Sequence, residues 1–180
     1  MLPSVVAVSL ASRHTFTKHP QPAIHLLAGL GVKGDAHCGA TVRHRYLRRR
    51  DPALPNLTQV HLLHTELFDT LRPLGFELHP GELGENITTA GIDLPNLPAS
   101  THLHIGPTAV VEITGLRTPC VQMNRLRPGL MAAAFHHDAS GNKSPRAGIM
   151  AIVLHSGTVE PGSPIHVQLP HLPHHPLQCV

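Results

Sequence analysis

Short apolar runs alternate with glycine and proline punctuation along most of the chain. THLHI (101–105) sets Leu103 and Ile105 against His102 and His104, the two-residue period of a half-buried strand. TAVVEIT (108–114) alternates in the same way. Strands are also predicted over SVVAVSL (4–10), AIHLLA (23–28), QVHLL (59–63), ENIT (85–88), GIMAIVLH (148–155) and PIHVQL (164–169). IGPT (105–108), LPNLPAS (94–100) and HSGTVEPGSP (155–164) read as the turns between them. HTELFDTLRPLG (64–75) has a different period: Leu67, Phe68 and Leu71 form a helical stripe, Thr65 offers an N-cap, and Pro73 and Gly75 stop it. LMAAAF (130–135), after Pro128 and Gly129, predicts a second short helix. The pattern predicts a mainly β fold, a barrel or closed sandwich with one or two short helices. A parallel βαβ sheet would need more crossover helices. The domain is expected over 1–169, with PHLPHHPLQCV (170–180) as a Pro/His-rich, frayed tail.

Composition narrows the class. The 180 residues are enough for one domain of the usual ~100–200. No apolar run approaches the ~18 residues of a membrane span. LPSVVAVSL (2–10) has no basic residue before it, so it reads as a first strand rather than a signal peptide. Cys38, Cys120 and Cys179 are odd in number and far apart, which predicts no disulfide framework and a reducing, cytoplasmic setting. The formal net charge is +3, with 11 Arg against 3 Lys, and the 17 His add charge as pH falls below ~6.5. The densest basic run is RHRYLRRR (43–50). With no Trp, one Tyr and four Phe there is little to stack bases on, so no nucleic-acid partner is expected. A solvated loop that helps to hold a small phosphate fits this run better, with Arg48, Arg49 and Arg50 in solvent.

Chemistry enters with ITGLRTPCVQMN (113–124). Cys120 follows a strand, with Arg117 three residues before it and Pro119 adjacent. A nearby cation favours the thiolate, the form that attacks electrophiles and binds metals. A small buried hydrophobe is the plainer reading of the same residue. GLGVKGDAHCG (29–39) gathers glycines around Lys33, Asp35 and His37, and Gly34 lets the backbone approach a ligand. Its spacing matches neither a dinucleotide fingerprint nor a P-loop, and a structural turn serves equally well. HPGELGENITTAGIDLPNL (79–97) offers Asn86, Thr88 and Thr89 as an edge for a planar heterocycle, or as a turn capped by its own side chains. Arg146 stands just before a late strand, where its fork could grip an anion.

Taken together, GVKGDAHCG (31–39), QVHLLHTE (59–66), PGELGENITTAGIDL (80–94), RTPCVQMN (117–124) and RAGIMAIVLHSGTVEPG (146–162) resemble the MOSC family, named for the C-terminal domain of molybdenum-cofactor sulfurases. The resemblance spans roughly 4–169 and is nearest the small stand-alone bacterial members. It implies a β-barrel similar to the barrel domain of pyruvate kinase. It implies that Cys120 ligates molybdenum in the pterin cofactor (molybdopterin), or else carries sulfur as a persulfide. The implied cofactor-binding set is Lys33, Gly34, Asn86, Thr88, Thr89, Arg43, Arg45, Asn124 and Arg146, with at least one of Lys33, Arg43, Arg45 and Arg146 on the Cys120 pocket. Arg117, His37 and Asp35 join Cys120 as catalytic residues. The implied activity is molybdenum-dependent reduction of N-hydroxylated compounds, or sulfur or cofactor delivery without turnover. A small-molecule substrate and a separate electron-transfer or desulfurase protein are the implied partners.

Overall fold

The computed structural model describes residues 2–43, 49–137 and 141–180. Thirteen strands are described: β1 (Ser4–Leu10), β2 (His19–Gln21), β3 (Ile24–Leu27), β4 (Gly31–Val32), β5 (Val60–His64), β6 (Ile87–Ala90), β7 (His102–Ile105), β8 (Ala109–Leu116), β9 (Phe135–His137), β10 (Lys143–Pro145), β11 (Ile149–His155), β12 (Gly157–Val159) and β13 (Ile165–Gln168). Short helices α1 (Glu66–Leu71), α2 (Val121–Leu126) and α3 (Leu130–Ala133) lie among them. Eight strands form one sheet in the order β13-β7-β8-β11-β5-β6-β1-β2, antiparallel except for β5 beside β6. A three-stranded sheet, β12-β3-β4, and the β9–β10 pair complete the fold.

The fold is mainly β, as the pattern predicts, but the expected closed barrel is not found: the sheets are open. The chemistry of the contact between β1 and β13 shows why. Among the described residues one bridge, Ser4 to Pro164, joins the two there, flanked by hydrogen bonds from Val5 N to Ser163 O, from Gly162 N to Val5 O and from Ile165 N to Pro3 O. Pro3 and Pro164 have no N–H to extend a ladder.

Alternation decides what is buried. In β7, Leu103 and Ile105 are fully buried while His102 and His104 stay half-exposed. The main core joins Val8, Leu26, Leu62, Ile87, Val111 and Ile149 with their neighbours. A second core, on the other face of β5, packs Leu63 against Leu67, Phe68 and Leu71 of α1, Met123 of α2 and Leu130 of α3. Thr65 does not cap α1 through its hydroxyl. Glu66 Oε1 instead accepts from Gly91 N at 2.7 Å, tying α1 to the turn after β6.

The tail is not frayed, contrary to expectation. His171, His174 and His175 are exposed, but Leu177 joins the main core. Cys179 bridges Leu116 in parallel, with hydrogen bonds from Leu116 N to Gln178 O and from Val180 N to Leu116 O. Gly115 makes this contact possible, since a Cβ there would meet Gln178 O and stand 2.6 Å from Val180 Cγ1. Gly115→Ala is expected to release residues 177–180 at a cost of about 2 kcal/mol, near the burial value of one leucine. Faster hydrogen exchange at the Leu116 and Val180 amides would report the release, and unchanged protection would contradict it.

No helix among the described residues is long and apolar enough to cross a membrane.

Candidate functional site

Three of the glycine-bearing or cysteine-bearing segments meet on one cavity of about 430 Å³. Cys120 reaches it from the loop between β8 and α2, His37 from the turn after β4, and Asn86 from the residue before β6. Arg117, Lys18 and His61 line it as well, with Met150 and Val180 adding an apolar wall. The Cys120 thiol is half-buried, and its backbone is extended before α2 begins. Cys38 is off this wall; burial first, and the Asp35 charge next, push its thiol up against the opposing pull of Arg43. Cys179 is exposed.

Glycines in the GELG turn bring the chain close enough to build this wall. Gly81 and Gly84 both have left-handed φ, at +87° and +82°. A Cβ on Gly81 would stand 2.5 Å from Lys18 O, and one on Gly84 2.5 Å from Phe16 O. The turn therefore rests directly on the 16–18 backbone, and Lys18 N donates to Gly81 O at 2.8 Å.

Asp35 is the hub beneath the cavity rather than part of its wall. Its Oδ2 meets Lys18 Nζ at 2.8 Å and accepts from Asn86 Nδ2 at 3.1 Å and from Ala11 N at 3.2 Å. Its Oδ1 accepts from His37 N at 3.0 Å and pairs with His37 Nδ1 at 3.2 Å. Burial pulls the carboxyl up, but the His37 hydrogen bonds and the Lys18 charge outweigh it and hold the group below the usual carboxylate range. Lys18 is pushed down by burial, with Asp35 and Glu85 opposing. Asn86 is fully occupied by the scaffold: its Nδ2 also donates to Ser9 O and its Oδ1 accepts from His61 N.

Two buried groups, His61 and Glu85, and the half-buried Arg117 stand behind this wall or within it. His61 is 4% exposed, with Nε2 at 2.8 Å from Ala147 O. Burial, and then the Arg117 charge, lower its pKa well below the ordinary value. Glu85 is fully buried; its Oε1 accepts from Gly81 N at 2.6 Å and from the Thr88 hydroxyl at 3.1 Å. Burial raises its carboxyl against those bonds and the Arg117 charge. Arg117 lies over the Phe16 ring at 5.4 Å. Burial weakens its hold on its proton, while the charges of Cys120 and Glu85 strengthen it.

Other expected residues fall elsewhere. Thr88 and Thr89 are buried in β6, bonded to Glu85 and to Leu63 O. Asn124 Oδ1 accepts from Met131 N at the start of α3. Gly34 has φ +83° but is not on the Cys120 wall. Lys33 lines a different cavity, beside His25 and Thr158. Arg146 lines another, of about 610 Å³, with His64 and Glu66. Arg43 packs against Gly39, whose missing Cβ makes room for its guanidinium. Arg45 and Arg48 lie outside the described residues. Among the described residues the cavity's cations are therefore Lys18 and Arg117, and Lys33, Arg43 and Arg146 are not on its wall. Sequence reading did not single out Lys18, His61 or Glu85. The signal for Glu85 was a charged residue caught between the two glycines of a tight turn and a strand. For His61 it was a polar residue set between Val60 and Leu62 in a mostly apolar strand.

The fold is shared with solved structures. YuaD from Bacillus subtilis superposes with a TM-score of 0.76 at 23% identity, over 95% of this chain and 98% of that one. YiiM from Geobacillus stearothermophilus gives 0.67 at 17% identity, over 97% and 79%. YiiM from Escherichia coli gives 0.63 at 17% identity, over 95% and 71%. No curated protein matches the sequence. The sequence profile of the MOSC domain matches residues 50–166, which include Glu85, Asn86, Arg117 and Cys120 and exclude the Asp35–His37 turn. That match covers well over half of the 180 residues, and the chain belongs to the MOSC domain family.

Proposed function

We propose that this protein binds the molybdenum cofactor, with Cys120 as the protein ligand to the metal, and that it reduces N-hydroxylated small molecules. The observation that carries the reading is the Cys120 thiol on a cavity wall that also holds Arg117, whose Nη1 is buried. Thiolate is a soft donor suited to molybdenum. The cavity, about 430 Å³, is within the ~300–1,000 Å³ of small-molecule sites. Its wall also holds unpartnered polar atoms on Arg117 and His61, so polar groups of a ligand would find partners there.

When bound, the cofactor supplies two-electron redox chemistry with oxygen-atom transfer. The protein's part is to bind, orient and manage protons. Cys120 and Arg117 would attract one another once the thiol ionises, which holds an anionic sulfur on the wall. Asp35, charged and buried, fixes the His37 tautomer with the proton on Nδ1, so that Nε2 is the atom able to take or return a proton. Met150 and Val180 give the cavity an apolar side. Electrons would come from a separate partner protein. A persulfide on the same sulfur is the competing reading, and the half-buried thiol beside a cation suits it too.

Cys120→Ser tests both. Protein purified from a host that makes the cofactor is expected to lose molybdenum and pterin to background, with its melting temperature within about 2 °C of the parent, as for a near-isosteric change. Loss of persulfide labelling without any molybdenum in the parent would instead favour sulfur carriage. Unchanged metal and unchanged labelling would overturn both.

A further inference from the structure

One edge of the large sheet carries a pair of histidines that the Cys120 cavity does not use. β13 is the last strand of the eight-stranded sheet and pairs antiparallel with β7. Alternation buries Leu103, Ile105 and Ile165 and turns His104 and His166 outward. In the register of the two strands His104 and His166 are directly opposite one another. Opposed side chains on neighbouring strands start from Cβ atoms only ~4.5–5.5 Å apart. The two ring centroids are 6.0 Å apart, with their planes tilted by 52°. Hydrogen bonds sort the neighbours. His104 Nε2 stands 2.8 Å from Gln168 Oε1, on the same face of β13. An amide oxygen only accepts, so Nε2 carries the hydrogen and Nδ1 keeps its lone pair. A metal-binding imidazole is held in this way, its second nitrogen donating to an oxygen that fixes the tautomer. His102 is drawn to the other side of β7, where its Nε2 pairs with Glu112 Oε2 of β8 at 3.2 Å.

We infer that His104 and His166 form a two-imidazole site for one divalent transition-metal cation, which staples the edge strand β13 to β7. Neutral imidazole suits zinc, nickel and copper ions. Two imidazoles on one tetrahedral ion, each nitrogen ~2.0–2.1 Å from it, have ring centres roughly 5 Å apart. The 6.0 Å between these rings closes to that by about 1 Å, within reach of side-chain rotation on an open face. Among the described residues no group of three or more His, Cys, Asp and Glu is placed to hold a metal ion. Two imidazoles are therefore the protein's whole contribution, and water fills the other positions. A staple has something to hold here. The start of β13 is tied to β1 by the Ser4–Pro164 bridge and its flanking hydrogen bonds, but its later residues have no strand on their far side among those described. Nothing in this site depends on Cys120 or its cavity.

Metal-free, full-length protein is titrated with Zn(II) while the histidine ring resonances are followed residue by residue. His104 and His166 are expected to shift together, with one shared affinity, and Cu(II) to bind the pair more tightly than Zn(II). Metal taken up by Cys120 or by the exposed His171, His174 and His175 moves other resonances and is told apart. Gln168→Leu removes the oxygen that holds the His104 tautomer and is expected to weaken Zn(II) about tenfold. His166→Ala, at an exposed position, removes a ligand outright and is expected to weaken it at least as much. Changing His171, His174 and His175 together to Ala is expected to leave the pair's affinity as in the parent. Amide exchange over Ile165–Gln168 should slow when Zn(II) is added, because a ligand of the folded state alone suppresses opening. The inference is overturned if the two rings do not shift together at millimolar Zn(II), or if His166→Ala leaves the affinity at His104 unchanged. It is equally overturned if the tail variant loses the shared shift, or if exchange in β13 stays the same with both rings saturated.

Discussion

Asp35→Ala is expected to cost about 3–5 kcal/mol, the penalty for leaving a buried charge without its partner. Lys18 Nζ and Asp35 Oδ2 are 2.8 Å apart with side chains only 5% and 2% exposed, so solvent cannot replace the lost carboxylate. Asn86 Nδ2, Ala11 N and the two His37 nitrogens lose an acceptor in the same step. Against a typical total of ~5–15 kcal/mol this is a large share, and it corresponds to roughly 10 °C in melting temperature for a chain of this size. Adding Lys18→Met to Asp35→Ala removes the stranded ammonium and is expected to recover a substantial part of the loss. Urea unfolding of the two single variants, the double variant and the parent measures the coupling. Additive losses would show that the pair is not coupled.

The same carboxylate sets a pH limb. Its folded-state pKa lies below the ordinary 3.8, so the unfolded chain binds the proton more readily. The stability it contributes is fully present above that ordinary value and is lost as pH falls through the lowered one. Glu85 acts in the opposite direction. Its folded pKa is raised above the ordinary 4.5, so stability declines as pH climbs from there through the raised value. The parent is therefore expected to lose stability below about pH 4 through Asp35. Asp35→Ala, already destabilised, should show a flatter acid limb.

What could be read from the sequence depended on length and period. β1, β5, β7, β8, β11 and β13 are four to eight residues long and carry enough alternation to be seen. β2, β4, β9, β10 and β12 have two or three residues each, too few for any period, and their pairing is set by partners distant in sequence. α2 was missed because its six residues show only Met123 to the core. The convergence of Cys120, Arg117, His37 and Asn86 was legible because each stands in a punctuated segment of special composition. Which cations accompany them was not. Lys33 looked suitable in a glycine turn and Arg146 before a late strand, but the paths of β4 and β10 carry them to other cavities. Lys18 is brought in by the close approach of Gly81 to its backbone, a contact across more than sixty positions that no local pattern records.

Gly148→Ala is expected to combine a stability loss of about 2–5 kcal/mol with displacement of His61, from left-handed strain and overpacking together. Gly148 has φ +95°, which disfavours any residue with a Cβ. A Cβ there would meet Leu62 O and stand 2.6 Å from His61 Nε2. The first clash is with backbone, at the register where Ile149 of β11 pairs with Leu62 of β5, and it cannot be relieved by a rotamer change. The second falls on the ring nitrogen that donates to Ala147 O, so relief requires breaking that hydrogen bond. His61→Ala added to Gly148→Ala should therefore recover only part of the loss, because the Leu62 carbonyl stays in place. Imidazole nitrogen resonances provide the local readout. In the parent, Nε2–H should exchange slowly with solvent, as a buried donor bonded to a carbonyl does, and Nδ1 should resonate as a bare lone-pair nitrogen. In Gly148→Ala the slow exchange should disappear. If the variant instead keeps both the parent's stability and a protected Nε2 proton, Gly148 is not what holds the ring against Ala147 O.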